Sequence, residues 1–263
     1  MSNTSWKIEV QQDYFARIAA KEYSDDAGMA VIREFAQNSA DAGATKVELS
    51  FVSSGDGARL TVKDNGRGCS AETVKSRLLI PLGTKKEADP IGGFGKAKEL
   101  LFFANPSWNI ATRDVRVQGS FLSVQNFDEG CNTFPGFAAT VQLPPALHTA
   151  AWNAAKNFLR CSERPGVEWV LNGSTVDCCI ERSKRAAKDF GFCKAYVNRD
   201  SNDNVIYLRT GGLLTAMRRG YHGSAVGRVV LEVTGASSQL LTPARDWFRS
   251  SGHRAQVENW LNQ

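Results

Sequence analysis

The sequence predicts an α/β protein in two parts: an α/β layer domain over residues 1–145 and a smaller α/β domain over residues 150–263. Three observations carry this reading. Segments with helical periodicity are interspersed with segments that alternate apolar and polar residues, the pattern of helices layered on a sheet. "LPP" at 143–145 interrupts that pattern. Beyond it the order of elements changes, and turn signals separate several short period-two runs.

The elements follow in order. "SWKIEV" alternates like a short strand, and "DYFARIAAKEY" reads as a helix. "SDDAG" breaks it, and a second helix is expected from about Gly28 to Ala42, stopped at Gly43. "KVELSFV" and "ARLTVKD" flank the Gly-rich "SSGDG" and predict a β-hairpin. "SAETVKSRLLI" opens like a capped helix, with Ser70 and Thr73 in cap positions. "PLGTKKEADPIGGFG" is a loop without periodicity, and "KAKELLFFA" reads as a helix. "WNIATRD", "VRVQGSFLSVQ" and "FAATVQLP" predict three antiparallel strands. After the boundary come a helix at about 147–161, then "VEWVLNG" and "STVDCCI" as a hairpin around Asn172-Gly173. A basic helix through "ERSKRAAK" (181–188) is expected next, then strands at "KAYVNR", "NVIYLRTGG" and "GRVVLEVTG", and a closing helix at "HRAQVENWLNQ".

Composition bounds the function classes. Of 263 residues, 42% are hydrophobic and 22% charged, which suits a soluble globular chain with a sizeable core. No apolar run approaches the length of a membrane-spanning helix, and "MSNTSWKIEV" lacks the basic and apolar regions of a signal peptide, so a cytoplasmic location without a membrane partner is expected. Six cysteines form no CxxC pair, which predicts reduced, mostly buried thiols rather than a zinc site or a disulfide scaffold. The net charge of +5 permits an anionic partner, nucleic acid included, without demanding one.

Three motifs carry chemistry. The first is "REFAQNSADAGA" (33–44), where Glu34, Asn38 and Asp41 fall within a ~60° arc of one helix face. That arc is either the wet side of an amphipathic helix or a polar wall facing a ligand. The second is "VKDNGRGCS", in which Asp64, Gly66 and Gly68 follow a strand. Read blandly it is a loop; read functionally, the glycines let backbone approach a flat ligand and Asp64 accepts a hydrogen bond from an exocyclic amine such as that of adenine. The third is "IGGFGKAKELLFFA", glycines leading into a helix, an arrangement that caps the helix or binds an anion, with Lys96 and Lys98 adding positive charge. Pro90 and Ala97 occupy positions where a Walker A loop needs Gly and Ser or Thr, so this is not one.

In that order and combination the three motifs resemble the nucleotide boxes of the GHKL superfamily, which includes Hsp90, gyrase B-type topoisomerases, MutL and histidine kinases. The resemblance covers roughly residues 10–143. "FAATVQL" stands where the family has a late strand with a ligand-facing Thr, here Thr140, and Ala139 replaces the Gly usually paired with it. "LGTKK" (82–86) resembles the Thr- and Lys-bearing ATP lid of Hsp90 and MutL, and Ala97 matches MutL where Hsp90 has Gly. In the second half, "TPARDWFR" resembles the turn whose Lys reaches the terminal phosphate in MutL, so Arg245 takes that place, with Arg218 and Arg219 as rivals.

The resemblance implies a two-layer α/β sandwich of the Bergerat type with a mixed sheet, followed by a transducer-like domain. It implies ATP and Mg²⁺ as cofactors, with Asn38 giving an oxygen to the metal and Glu34 activating the attacking water. Asp64 reads the adenine amine, and Gly66 and Gly68 make room for the base. Asp41 either bonds the base through water or supports the neighbouring turn. Gly92, Gly93, Phe94, Gly95, Lys96 and Ala97 cradle the phosphates, with Thr84 and Lys85 closing from the lid. The expected activity is a slow ATP hydrolase whose nucleotide state drives conformational change or homodimerisation and acts on a partner protein or nucleic acid. The alternative is a non-hydrolysing ATP sensor. The histidine-kinase reading is disfavoured, because none of the three histidines (His148, His222 and His253) precedes the nucleotide boxes.

Overall fold

The computed structural model describes residues 10–23, 27–54, 57–81, 98–143, 145–180, 187–198, 204–219, 227–234, 237–242 and 247–262. Two sheets and the helices between them make up the architecture. The helices are α1 (Tyr14–Tyr23), α2 (Ala27–Asp41), α3 (Ala71–Thr73), α4 (Pro145–Cys161), α5 (Ser237–Leu240) and α6 (Ser251–Leu261). The first sheet contains β1 (Lys46–Ser54), β2 (Gly57–Asp64), β3 (Trp108–Ser120), β4 (Ser123–Leu143), β5 (Glu168–Leu171) and β6 (Ser174–Thr175). The second contains β7 (Ala187–Asp189), β8 (Cys193–Asn198), β9 (Val205–Thr210), β10 (Leu213–Arg219) and β11 (Arg228–Val233). Among the described residues no helix is long and apolar enough to cross a membrane.

The strand order in the first sheet is β3-β4-β2-β1-β5-β6. All its pairs are antiparallel except β1 with β5, where Val47 lies opposite Trp169. This sheet therefore takes β5 and β6 from beyond the "LPP" step. Val47, Leu49, Leu60, Val62, Ala139 and Val141 point to one face and are buried there; burying each larger side chain fully is worth about 1.5–3 kcal/mol. The intervening residues, such as Ser50, Thr61 and Thr140, lie on the opposite, partly open face.

The second sheet runs β10-β9-β11-β8-β7, with β9 and β11 parallel. Every residue of β9 is buried. Val205 and Tyr207 join the core shared with α2 and α4, whereas Ile206 and Leu208 join a second core with Trp247, Phe248 and α6. A sheet covered on both faces reads as a continuous apolar run rather than an alternating one. Helices α2 and α4 thus lie between the two sheets, which is why nearly the whole of α2 is buried.

Several expectations need correction. The segments 108–114 and 115–125 are not separate strands: β3 runs through them, with a bulge where Arg113 adopts φ 51°, and turns at Phe121-Leu122 into β4. The helix expected at 70–80 lasts one α turn before Val74–Leu78 winds in wider i→i+5 turns, and Glu99–Phe103 does the same. The end of the supposed basic helix, Ala187–Asp189, is a strand; the rest of it lies outside the described residues. Strand β10 was not expected at all. Of the cysteines, Cys161 and Cys193 are buried, Cys179 is exposed and the others are intermediate; burial pushes the Cys161 and Cys193 thiols up to about 12, so both stay protonated. Gly43, with φ 74°, does end α2, and Asn172 and Gly173, both at positive φ, do turn β5 into β6.

The α2–α4 crossing depends on Gly28. A Cβ there would meet the Ala150 carbonyl carbon and the Ala151 nitrogen at 2.7 Å. Backbone atoms cannot swing aside as a side-chain end can. Gly28→Ala is expected to force the helices apart and cost about 1–3 kcal/mol, despite alanine's better helix propensity. Chemical denaturation of the two proteins checks this; an unchanged or raised midpoint would contradict it.

Candidate functional site

A cavity of about 290 Å³ opens between α2, the first sheet and the turns that follow β2 and precede β3. Its α2 wall is formed by Phe35, Asn38 and Ser39, with Ala42 just past the helix end. Those residues follow the i, i+3, i+4, i+7 spacing of one helical stripe. The floor is Val62 and Asp64 from β2 and Phe137 from β4. Thr73, Arg77 and Leu78 close one side, and Lys98, Leu101 and Phe102 another. Apolar side chains from several directions, with a carboxylate among them, suit a flat heteroaromatic ring that carries an amine donor.

Asp64 is the best-defined polar group in this cavity. It is 5% exposed. The Ser39 hydroxyl donates to its Oδ2 at 2.7 Å, and the Gly66 N–H donates to its Oδ1 at 2.9 Å. An ionised carboxylate offers about four lone-pair sites, so these two bonds leave acceptor capacity for a ligand. The turn that follows is locked to α2. Asn65 Oδ1 accepts from the Thr45 and Lys46 N–H groups, both at 2.8 Å. The Arg67 N–H donates to the Ala42 carbonyl, and Arg67 Nη1 to the Asp41 carbonyl, each at 3.0 Å.

Gly68 shows why this turn needs glycine. Its φ is +62°, and a Cβ would stand 2.5 Å from the Pro135 carbonyl oxygen and 2.7 Å from that of Gly136. Beside it, Thr112 Oγ1 accepts from the Cys69 N–H and donates to the Gly136 carbonyl, both at 2.8 Å. The turn is thereby tied to α2 at one end and to β3 and β4 at the other. Gly66 abuts Ala42 closely, with 2.9 Å between its would-be Cβ and that of Ala42.

Burial dominates the electrostatics. Lys98 is only 4% exposed; its Nζ donates to the Arg77 carbonyl at 2.7 Å. Desolvation pulls its ammonium below the usual lysine range, partly opposed by the Glu99 carboxylate. Desolvation also raises the Cys69 thiol, so it stays protonated in the cavity wall. Arg67 and Arg77 contribute exposed guanidinium groups at the rim.

The expected site residues divide clearly. Asn38, Asp64 and Gly68 line one cavity. Glu34 is buried in the same helix, with Oε1 3.9 Å from Arg33 Nε, but does not line the cavity among the described residues. Asp41 is half-buried and holds the turn through its backbone carbonyl. The polar arc is therefore not a solvated face; it meets the cavity at Asn38. Thr140 is not brought there: it sits opposite Thr61 in the β2–β4 register, and their hydroxyls lie 3.0 Å apart, on the face away from Val62 and Phe137. Arg218 stacks its guanidinium over the Trp247 ring at 4.3 Å, and neither it nor Arg219 lines the cavity. Thr84, Lys85, Gly92, Gly93, Phe94, Gly95, Lys96, Ala97 and Arg245 lie outside the described residues. Sequence reasoning missed Ser39, Phe137, Arg77 and Thr112. Only Ser39 carried a local signal, as a small hydroxyl residue beside Asn38.

Residues 27–114, which contain α2, the Asp64 turn and Lys98, match the family described as histidine kinase-, DNA gyrase B- and HSP90-like ATPases. That stretch resembles a GHKL-superfamily ATPase domain. The chain is 27% identical over 168 residues to the DNA mismatch repair protein MutL of Deinococcus radiodurans, a match over 57% of this chain and 30% of that protein. The chain thus spans about a third of the length of that relative. The fold of the chain is similar to the ATPase domain of the Aquifex aeolicus mismatch repair endonuclease MutL. The TM-score is 0.51 at 13% identity, over 89% of this chain and 97% of that one. Among the described residues no group of three or more His, Cys, Asp or Glu is placed to hold a metal ion.

Proposed function

We propose that the chain binds ATP with Mg²⁺ in the cavity beneath α2 and hydrolyses it slowly, its nucleotide state controlling conformation, self-association or a partner. The observation that carries this reading is the Asp64 carboxylate, fixed by Ser39 and Gly66 at the floor of a largely apolar cavity in a GHKL-like domain. Asp64 accepts the adenine amine, and Val62, Phe137 and Leu78 pack around the base. The Asn38 amide oxygen suits a hard cation that keeps most of its ligands as phosphate and water oxygens. Magnesium, when bound, neutralises phosphate charge. Glu34, one helical turn before Asn38 and ~6 Å away along the axis, takes the proton of the attacking water. Gly92 to Ala97 cradle the phosphates, Thr84 and Lys85 close over them, and Arg245 reaches the terminal phosphate.

Titration with ATP and Mg²⁺, combined with phosphate-release assays and size-exclusion chromatography, tests the proposal. Saturable ATP binding with Mg²⁺-dependent turnover is expected. Binding without turnover would replace the hydrolase by a sensor, and no binding would remove both. The likeness to a DNA mismatch repair protein supports a role on nucleic acid as part of the same proposal. A shift assay at low salt that finds no DNA binding would remove that part.

A further inference from the structure

Asp64 and Lys98 have opposite charges and line the same cavity. Asp64 accepts hydrogen bonds from Ser39 and Gly66, whereas Lys98 is held against the Arg77 carbonyl. A lysine ammonium that is 4% exposed is costly to bury, because its hydration shell is gone. A backbone carbonyl offers a partial charge and takes one of three N–H groups. The neighbouring Glu99 attracts it, but less than burial penalises it. The Arg67 and Arg77 guanidinium groups also line this cavity, so among the described residues three cationic side chains face it against the one carboxylate of Asp64. The two arginines are exposed, where water screens them. Lys98 is the buried one, where a ligand's negative charge is felt most strongly.

We infer that Lys98 is a specificity-determining residue of this cavity, pairing with the phosphate chain of the bound nucleotide so that the site selects nucleoside phosphates over the free nucleoside. The inference rests on the nucleotide-binding reading above and adds to it a division of labour. Asp64 reads the base, and Lys98 reads whether phosphate is attached. The ammonium stays bonded to the Arg77 carbonyl and turns its remaining N–H groups to phosphate oxygens. No bond is made or broken at Lys98; its contribution is to ligand affinity.

The test is calorimetric titration of the whole chain with adenosine, ADP and ATP, comparing wild type with Lys98→Met and Lys98→Arg. Methionine keeps the apolar stem and removes the charge, whereas arginine keeps the charge. The wild type is expected to bind ATP and ADP more tightly than adenosine. Lys98→Met is expected to lose about tenfold or more in affinity for both phosphates, with adenosine affinity within about twofold, and Lys98→Arg to regain part of the loss. Equal losses for adenosine and ATP would assign Lys98 a packing role and overturn the inference, as would unchanged ATP affinity in Lys98→Met. Should Lys98→Met not fold, Lys98→Gln carries the same comparison while keeping a donor for the Arg77 carbonyl. Wild-type protein that binds neither adenosine nor ATP would instead overturn the nucleotide reading.

Discussion

Asp64→Asn is expected to weaken ATP binding by about 10²-fold or more while leaving a cooperatively folded protein. The carboxylate is 5% exposed and already accepts from the Ser39 hydroxyl and the Gly66 N–H. An amide of the same shape turns one of its two acceptors into a donor. If the amide oxygen stays on Gly66, the new NH₂ faces both Ser39 and the adenine amine. Ser39 adapts, because a hydroxyl can accept as well as donate. The adenine amine cannot, so the penalty falls on the ligand. Titration of the variant with ATP, beside a thermal melt, separates a lost contact from a lost fold. Unchanged ATP affinity would remove Asp64 from the base-binding role.

The second large effect is expected at Glu34. Glu34→Gln should lower ATP turnover by about 10²–10⁴-fold, the usual contribution of a positioned general base, with ATP affinity little changed. The choice of substitution matters here. Glu34 is buried beside the Arg33 guanidinium, which is itself 1% exposed and donates to the Thr215 carbonyl of β10 at 3.0 Å. Glu34→Ala deletes a carboxylate next to a buried cation, a change that costs about 3–5 kcal/mol where such a pair is broken. Glutamine keeps the volume and an acceptor for Arg33 but cannot take a proton. Single-turnover phosphate release on both variants, with melts alongside, distinguishes the two contributions. Wild-type turnover in Glu34→Gln would end the assignment of Glu34 as the base. Loss of turnover only in Glu34→Ala, in step with lost stability, would make the residue structural.

Local features were legible in the sequence where a local cause sets them. Gly43 ends α2 because the residue after a helix commonly adopts positive φ, and Asn172-Gly173 turns a hairpin because both tolerate that geometry. The Asp64 turn announced itself by an acid at a strand end followed by two spaced glycines. The pattern misled where tertiary packing overrides periodicity. Along β3 and β4, the bulge at Arg113 shifts the register, so a continuous strand reads as two. Thr140 was judged by its place in a motif, yet a side-chain period of two puts it beside Thr61 on the face opposite Val62, Ala139 and Phe137. The same parity places Phe137 in the cavity, at a position the motif did not single out.

Residue type and spacing set the chemistry available to the chain. They set a helix bearing Glu34, Asn38 and Asp41, an Asp-initiated glycine turn, and a lysine-bearing glycine segment, in an order that resembles the GHKL nucleotide boxes. Those features are short-range, so residue type and spacing encode them directly. Which of these side chains share a cavity depends on long-range packing. The parallel pairing of β1 with β5 brings residues past 167 into the first sheet, and the second sheet covers the outer side of α2. With both sides of α2 covered, burial rather than amphipathic pattern assigns its polar residues. Asn38 and Ser39 go to the cavity, Glu34 goes beside Arg33, and Asp41 goes to the support of the turn. Pairings between distant segments depend on packing against elements far away in the chain, which local periodicity does not record.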